Sequence, residues 1–165
     1  IADWFRVADQ FGFRIVTIHH ALETYKVRDL LAAHGTGIAT WPDWWGFKLE
    51  SFDGIPEGPA LVSSVGVPVA THSDSPSHIQ RFNIEAGKMV RYGMTEADAL
   101  ESITLDPARL LGIDTLVGSI EVGKHADLAL FDKYPLDGTA RVLRTWVDGQ
   151  VVYDRTKEGT PDGVR

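Results

Sequence analysis

The chain has 165 residues, of which 44% are apolar and 24% charged, the make-up of one globular domain with a real core. Its 23 acidic side chains outnumber 16 basic ones, and the net charge of −7 excludes nucleic acid as the main partner, because phosphate binding needs a basic face. The absence of cysteine excludes disulfides and thiolate metal sites and leaves the redox compartment open; no apolar run approaches the ~18 residues of a membrane span, so no membrane partner is expected.

The chain begins at Ile1, and Trp4, Val7, Ala8 and Phe11 then recur at helical spacing with no capping residue ahead of them. So abrupt a start is expected of a chain cut from something longer, in which an upstream signal peptide would be invisible. A cytoplasmic location is favoured, with a secreted or periplasmic one left open. Arg14 to Ile18 reads as a strand, and Glu23 to His34 as a helix closed by Gly35. Gly37 to Thr40 is a short strand, and Asp43 to Glu57 a long loop rich in Trp, Gly and Phe. Pro59 to Val65 is helical, Val67 to Thr71 is the next strand, and helices follow over about 79–92, 95–104 and 107–111. Thr95 with Asp98 makes a capping-box-like start, and Asp106 before Pro107 reads as an N-cap.

Strands alternating with helices imply a parallel sheet with right-handed crossovers. Three such units do not close an eight-unit barrel, which needs ~250 residues. From Gly118 the texture becomes all-β: Ser119–Val122, Ala126–Phe131, Val142–Val147 and Gln150–Tyr153, the last two joined by Asp148-Gly149, a strong hairpin signal. The tail from Arg155 is polar and is expected to be loosely held.

Two clusters sit where a parallel barrel places its chemistry, at the carboxyl ends of strands. His19 and His20 follow the first strand; His72, Asp74 and His78 follow the third. Imidazole and carboxylate suit zinc and similar divalent metals. Because adjacent strand residues point to opposite faces, one of His19 and His20 should face the barrel axis and the other pack under helices. Asp74 is as readily a helix N-cap ahead of Pro76 as a catalytic group. His34 is a dipole-complementing residue at a helix end, and His125 an exposed residue of the β region. Three tryptophans, Trp41, Trp44 and Trp45, lie in one short loop with Phe47. They form either a hydrophobic plug or an apolar wall of a substrate pocket, to which His72 and His78 could add.

The run Thr104-Leu105-Asp106-Pro107-Ala108-Arg109-Leu110-Leu111-Gly112-Ile113 resembles the segment that closes the barrel in the amidohydrolase superfamily. Gly118-Ser119-Ile120-Glu121-Val122-Gly123-Lys124-His125-Ala126-Asp127-Leu128-Ala129-Leu130-Phe131 resembles the return of the chain into that family's small β-sandwich, and Val147 to Tyr153 its terminal hairpin. The barrel part is similar to the imidazolonepropionase-like branch. The resemblance implies an α/β fold: residues 1–112 as the last three or so units of a (β/α)8 TIM-like barrel, and 113–165 as the returning strands of the sandwich.

It also implies that His20 is the metal-binding histidine at the end of the sixth barrel strand. Asp74 would be the aspartate of the eighth, which ligates the metal and shuttles protons. The His-x-His pair of the first strand, the bridging residue of the fourth and the histidine of the fifth have no counterpart here. Two ligands are fewer than the three a catalytic zinc needs, so an N-terminal part of the same protein, covalent or separate, is expected to complete the site. The implied activity is metal-dependent hydrolysis of C–N bonds other than linear peptide bonds, in a small cyclic amide, amidine or related substrate. Metal-bound hydroxide would be the nucleophile, with one or two zinc ions and no organic cofactor. A non-catalytic scaffold of the same fold, a prolidase-like dipeptidase and a self-standing three-unit domain are the alternatives; self-association is left open.

Overall fold

The computed structural model describes residues 1–157. Most of the polar tail expected to be loosely held lies outside the described residues. Helix α1 spans Ala2–Phe11, and three strands, β1 Thr17–His19, β2 Gly37–Thr40 and β3 Val69–Thr71, alternate with helices α2 Arg28–His34 and α3 Gly58–Ser63. Helices α4 Phe82–Arg91, α5 Glu96–Glu101 and α6 Leu105–Leu111 follow, then strands β4 Leu128–Phe131, β5 Val142–Val147 and β6 Gln150–Asp154.

The first three strands form one sheet in the order β1-β2-β3, all parallel, with His19 level with Ala39 and Thr40 level with Thr71. Strand β2, between the other two, is buried along its whole length, as a parallel strand covered on both faces should be. Ile38, Val69, Leu31, Val62 and Met89 join strands to helices in one core. No side chain would fit at Gly37: a Cβ there would meet the Leu110 side chain of α6, so glycine lets that helix lie directly on β2.

Several expectations from sequence are shifted. The first strand starts at Thr17 rather than Arg14, because residues 14–16 bond to the turn that enters β2: Arg14 donates to the Gly35 carbonyl, Thr36 Oγ1 to that of Ile15, and the Gly37 N–H to that of Val16. The expected Glu23–His34 helix is a short 3-10 turn, Thr24–Val27, followed by α2. In α1 it is Phe5 and Ala8 that are buried, Phe5 stacking on His34 with ring centroids 4.3 Å apart, while Trp4 and Phe11 are exposed. Ser119–Val122 forms no strand; Lys124 pairs with Glu121 at 3.1 Å and with the Ser119 hydroxyl, folding the segment on itself.

Asp106 is not the N-cap of α6. It lies inside the first turn, where its buried carboxylate accepts the Val69 N–H (3.1 Å) at the start of β3 and pairs with Arg109 at 2.9 Å. Burial pushes its pKa up, against the opposing pull of the Val69 N–H and of Arg109. Thr95 does cap α5, accepting the Asp98 N–H.

The second sheet is antiparallel, in the order β4-β5-β6. Its Asp148-Gly149 hairpin turn is held from outside. Asp148 donates its N–H to Asp127, Gly149 donates to the Ala126 carbonyl, and the Asp148 carboxylate lies 2.6 Å from His125 Nδ1. The sheet is linked to the first by the segment before β5: Asn83 Nδ2 of α4 donates to the Pro135 carbonyl at 2.7 Å, and the Leu136 carbonyl sits where a side chain at Gly87 would be.

Two predictions follow from these contacts. Asp106→Ala strands the Val69 N–H and should lower unfolding stability by about 1–3 kcal/mol, while Asp106→Asn, which keeps an acceptor, should cost less; urea denaturation of the intact protein measures both. His125 is exposed, and its bond to Asp148 raises its pKa above the ordinary 6.5. The stability this contributes is therefore fully present below 6.5 and lost as pH rises through the higher folded value. An NMR titration should find His125 above its ordinary value and Asp148→Asn should return it.

Candidate metal and active site

Because β1, β2 and β3 run parallel, their carboxyl ends open at one edge of the sheet. His19 and His20 leave β1 there, Trp41 follows β2, and His72 and Asp74 follow β3. His20 and Asp74 both have left-handed backbone, with φ of 68° and 46°, a conformation that costs a non-glycine residue about 1–3 kcal/mol and that clusters at functional sites.

This bend changes what the two adjacent histidines do. Alternation along a strand would send them to opposite faces, but the strand ends at His19 and the chain turns at His20. Both imidazoles therefore stand at the mouth, with centroids 5.7 Å and 5.5 Å from that of His72. The position of His72 is secured by its N–H, which donates to the Thr40 carbonyl at 2.9 Å, and by Thr71, whose hydroxyl lies 2.8 Å from that of Ser102. Burial pushes the His72 pKa down; Asp74 draws it up, and His20 and His19 push it further down. The four groups thus share one electrostatic neighbourhood, and His72 Nδ1 is buried without a hydrogen-bond partner.

Asp74 is not used as a cap. The His78 N–H turns to Ser75 Oγ at 3.4 Å, and among the described residues the Asp74 carboxylate has no hydrogen-bond or ion-pair partner. Its functional reading therefore has no competing structural duty.

The aromatic loop covers this mouth. Trp41 is only 3% exposed; it stacks on His20 at 4.8 Å and on Trp44 at 5.0 Å, and meets His72 edge-on at 5.3 Å. Trp44 meets Phe47 and His78 edge-on. Trp45 is 59% exposed and joins none of these ring contacts, so the loop divides into an inward wall and an outward ring. Beside the wall lies an open cleft of about 360 Å³ lined by His19, His20, Trp41, Glu23, Lys48 and Glu50, among others. The three charged residues were not legible as site residues, since nothing in their spacing ties them to the histidines.

In kind, imidazole and carboxylate donors and an unpartnered buried ring nitrogen fit a divalent metal. In number they fall short: among the described residues no group of three or more His, Asp or Glu is placed to hold an ion.

Comparison with known proteins gives the family. The model of the amidohydrolase family matches residues 51–152. The chain belongs to the amidohydrolase family. It is 30% identical to an amidohydrolase, tasK, of Hapsidospora irregularis over 152 residues, covering 89% of this chain and 16% of that protein. It is also 38% identical to an imidazolonepropionase of Erwinia tasmaniensis over 90 residues, covering 52% of this chain and 21% of that protein. Among solved structures, an amidohydrolase from Thermotoga maritima MSB8 matches with a TM-score of 0.84 and 34% identity, over 92% of this chain and 40% of that one. The chain thus spans about a fifth or less of the two curated relatives and two fifths of the amidohydrolase structure.

The two halves of the aromatic loop predict opposite outcomes. Trp41→Ala should destabilise the protein by about 3–5 kcal/mol through the cavity it leaves. Trp45→Ala, at an exposed position, should stay within about 0.5 kcal/mol of wild type. Parallel urea titrations separate the two.

Proposed function

We propose that this chain is the C-terminal part of a metal-dependent hydrolase that opens C–N bonds other than linear peptide bonds, in a small cyclic amide, amidine or related substrate. The observation that carries the reading is the convergence of His20, after β1, with His72 and Asp74, after β3, at the carboxyl edge of one parallel sheet, with His20 and Asp74 both in left-handed backbone. Family membership and the likeness to an imidazolonepropionase support the chemical class. The parallel strands would be the last units of a (β/α)8 barrel, and the antiparallel sheet the returning strands of a small sandwich.

His20 and Asp74 would hold the ion, zinc by the chemistry of the donors, and a preceding segment of the protein would supply the remaining ligands. When bound, such an ion supplies a water acidified into the neutral range and polarises a carbonyl. Asp74, whose carboxylate has no hydrogen-bond or ion-pair partner among the described residues, would serve as the proton carrier between the attacking water and the leaving nitrogen. His72, which burial holds toward its neutral form, can donate or accept one hydrogen bond to substrate. Trp41 and Trp44 form an apolar wall against which a planar ring can lie, and they exclude water from one side.

The test uses the full-length protein and a panel of a lactam, a cyclic imide and a cyclic ureide. Zinc-dependent hydrolysis of at least one is expected in wild type, reversibly lost on chelation. Asp74→Asn should lower kcat by roughly 10²–10⁴-fold. Unchanged turnover in that variant would remove Asp74 from the mechanism.

A further inference from the structure

Among the described residues, the aromatic wall is held by few polar contacts of its own loop. Gly46 donates its N–H to the Ser51 carbonyl, and the Ser51 hydroxyl closes onto Lys48, so residues 46–51 fold on themselves. Among the described residues, the side-chain polar link from residues 41–47 to the rest of the chain is a single one: Asp43 to Lys88 of α4, at 3.0 Å. Lys88 also pairs with Glu85 one turn earlier, at 3.0 Å and 3.2 Å to its two oxygens. Glu85 is almost wholly buried, while Lys88 and Asp43 are each about one-third exposed.

These three charges form a bridge with a fixed end and a movable end. The fixed end is Glu85, on a helix whose Ala86 and Met89 are in the core and whose Met89 Sδ lies 3.9 Å from Thr71 Oγ1 on β3. The movable end is Asp43, set between Trp41 and Trp44, the rings that contact His20, His72 and His78. Burial works to lower the Lys88 pKa, yet the bonds to Glu85 and Asp43 outweigh it and raise it, so the ammonium is charged in this position. Asp43 thus reaches the same helix that supports β3.

We propose that Lys88 is a positioning residue: by clamping Asp43 against the buried Glu85 it fixes the Trp41–Trp44 wall over the strand ends, and so sets which ring-shaped substrates fit. The second half rests on the proposed hydrolase function; the first does not. Lys88 acts through the wall.

The test is limited trypsin digestion of the native full-length protein, with cleavage after the exposed Lys48 read by mass spectrometry. Asp43→Asn, which removes the charge from a loop residue, should speed that cleavage roughly fivefold, while Asp43→Glu, which keeps the carboxylate, should stay within about twofold of wild type. With the cyclic amide that wild type hydrolyses, Asp43→Asn should raise KM roughly fivefold and change kcat by less than about twofold; Asp43→Glu should restore KM. Wild-type resistance at Lys48 in Asp43→Asn overturns the clamp. Asp43→Glu as labile as Asp43→Asn overturns its ionic nature. A loosened loop with unchanged KM overturns the role in substrate fit. If wild type hydrolyses none of the panel, the proposed function falls by itself, and the digestion still decides the clamp.

Discussion

Everything at the candidate site depends on three strands running parallel and in register. Parallel pairing forces each strand to return through a helix, so all three carboxyl ends open at one edge. That edge gathers His19, His20, Trp41, His72 and Asp74, which lie up to 55 positions apart in the chain, Asp74 after His19. An antiparallel arrangement would have put the second strand's exit at the far edge and removed Trp41 from the two histidines. The buried acceptor at Asp106 serves the same constraint, since it satisfies the Val69 N–H where β3 begins.

The edge is then shaped by departures from ideal geometry. His20 and Asp74 leave their strands through left-handed backbone. The bend brings both neighbouring histidines to one mouth and leaves Asp74 without a capping duty. Strain of this kind persists where surrounding contacts over-determine it. Here the Thr40 hydroxyl reaches the His20 carbonyl at 3.3 Å, and the Thr40 carbonyl takes the His72 N–H, so β2 holds the first bend and the residue two positions before the second.

Polar anchoring is sparse and placed at the joints. Asp43–Lys88–Glu85 ties the aromatic wall to α4, Asn83 ties α4 to the segment before β5, and His125 with Asp127 ties the hairpin turn to the segment before β4. Helix α4 therefore touches β3, the wall and the link to the second sheet. The candidate site residues thus stand at one sheet edge, and their supports on one helix.

Much of this was legible from residue order. The alternation of strand and helix, the span of β2, the Asp148-Gly149 hairpin, the Thr95 cap and the family itself are local or patterned features, and the chain carries them in short stretches of its own. Strand ends, where a parallel fold exposes side chains, marked the His19–His20 pair and Asp74 as candidates, and the family resemblance alone preferred His20 and gave Asp74 its role. What only the tertiary structure decided are relations between distant segments. Among them are both histidines at one mouth, Trp41 inward and Trp45 outward, Asp106 serving a strand rather than its own helix, and Lys88 reaching across to Asp43. Glu85 and Lys88 have the spacing of an ordinary helix pair, and nothing along the chain marks the third charge. Spacing determines which residues share an element; which element they meet is settled by packing, and packing depends on shape complementarity between surfaces that one-dimensional order does not encode.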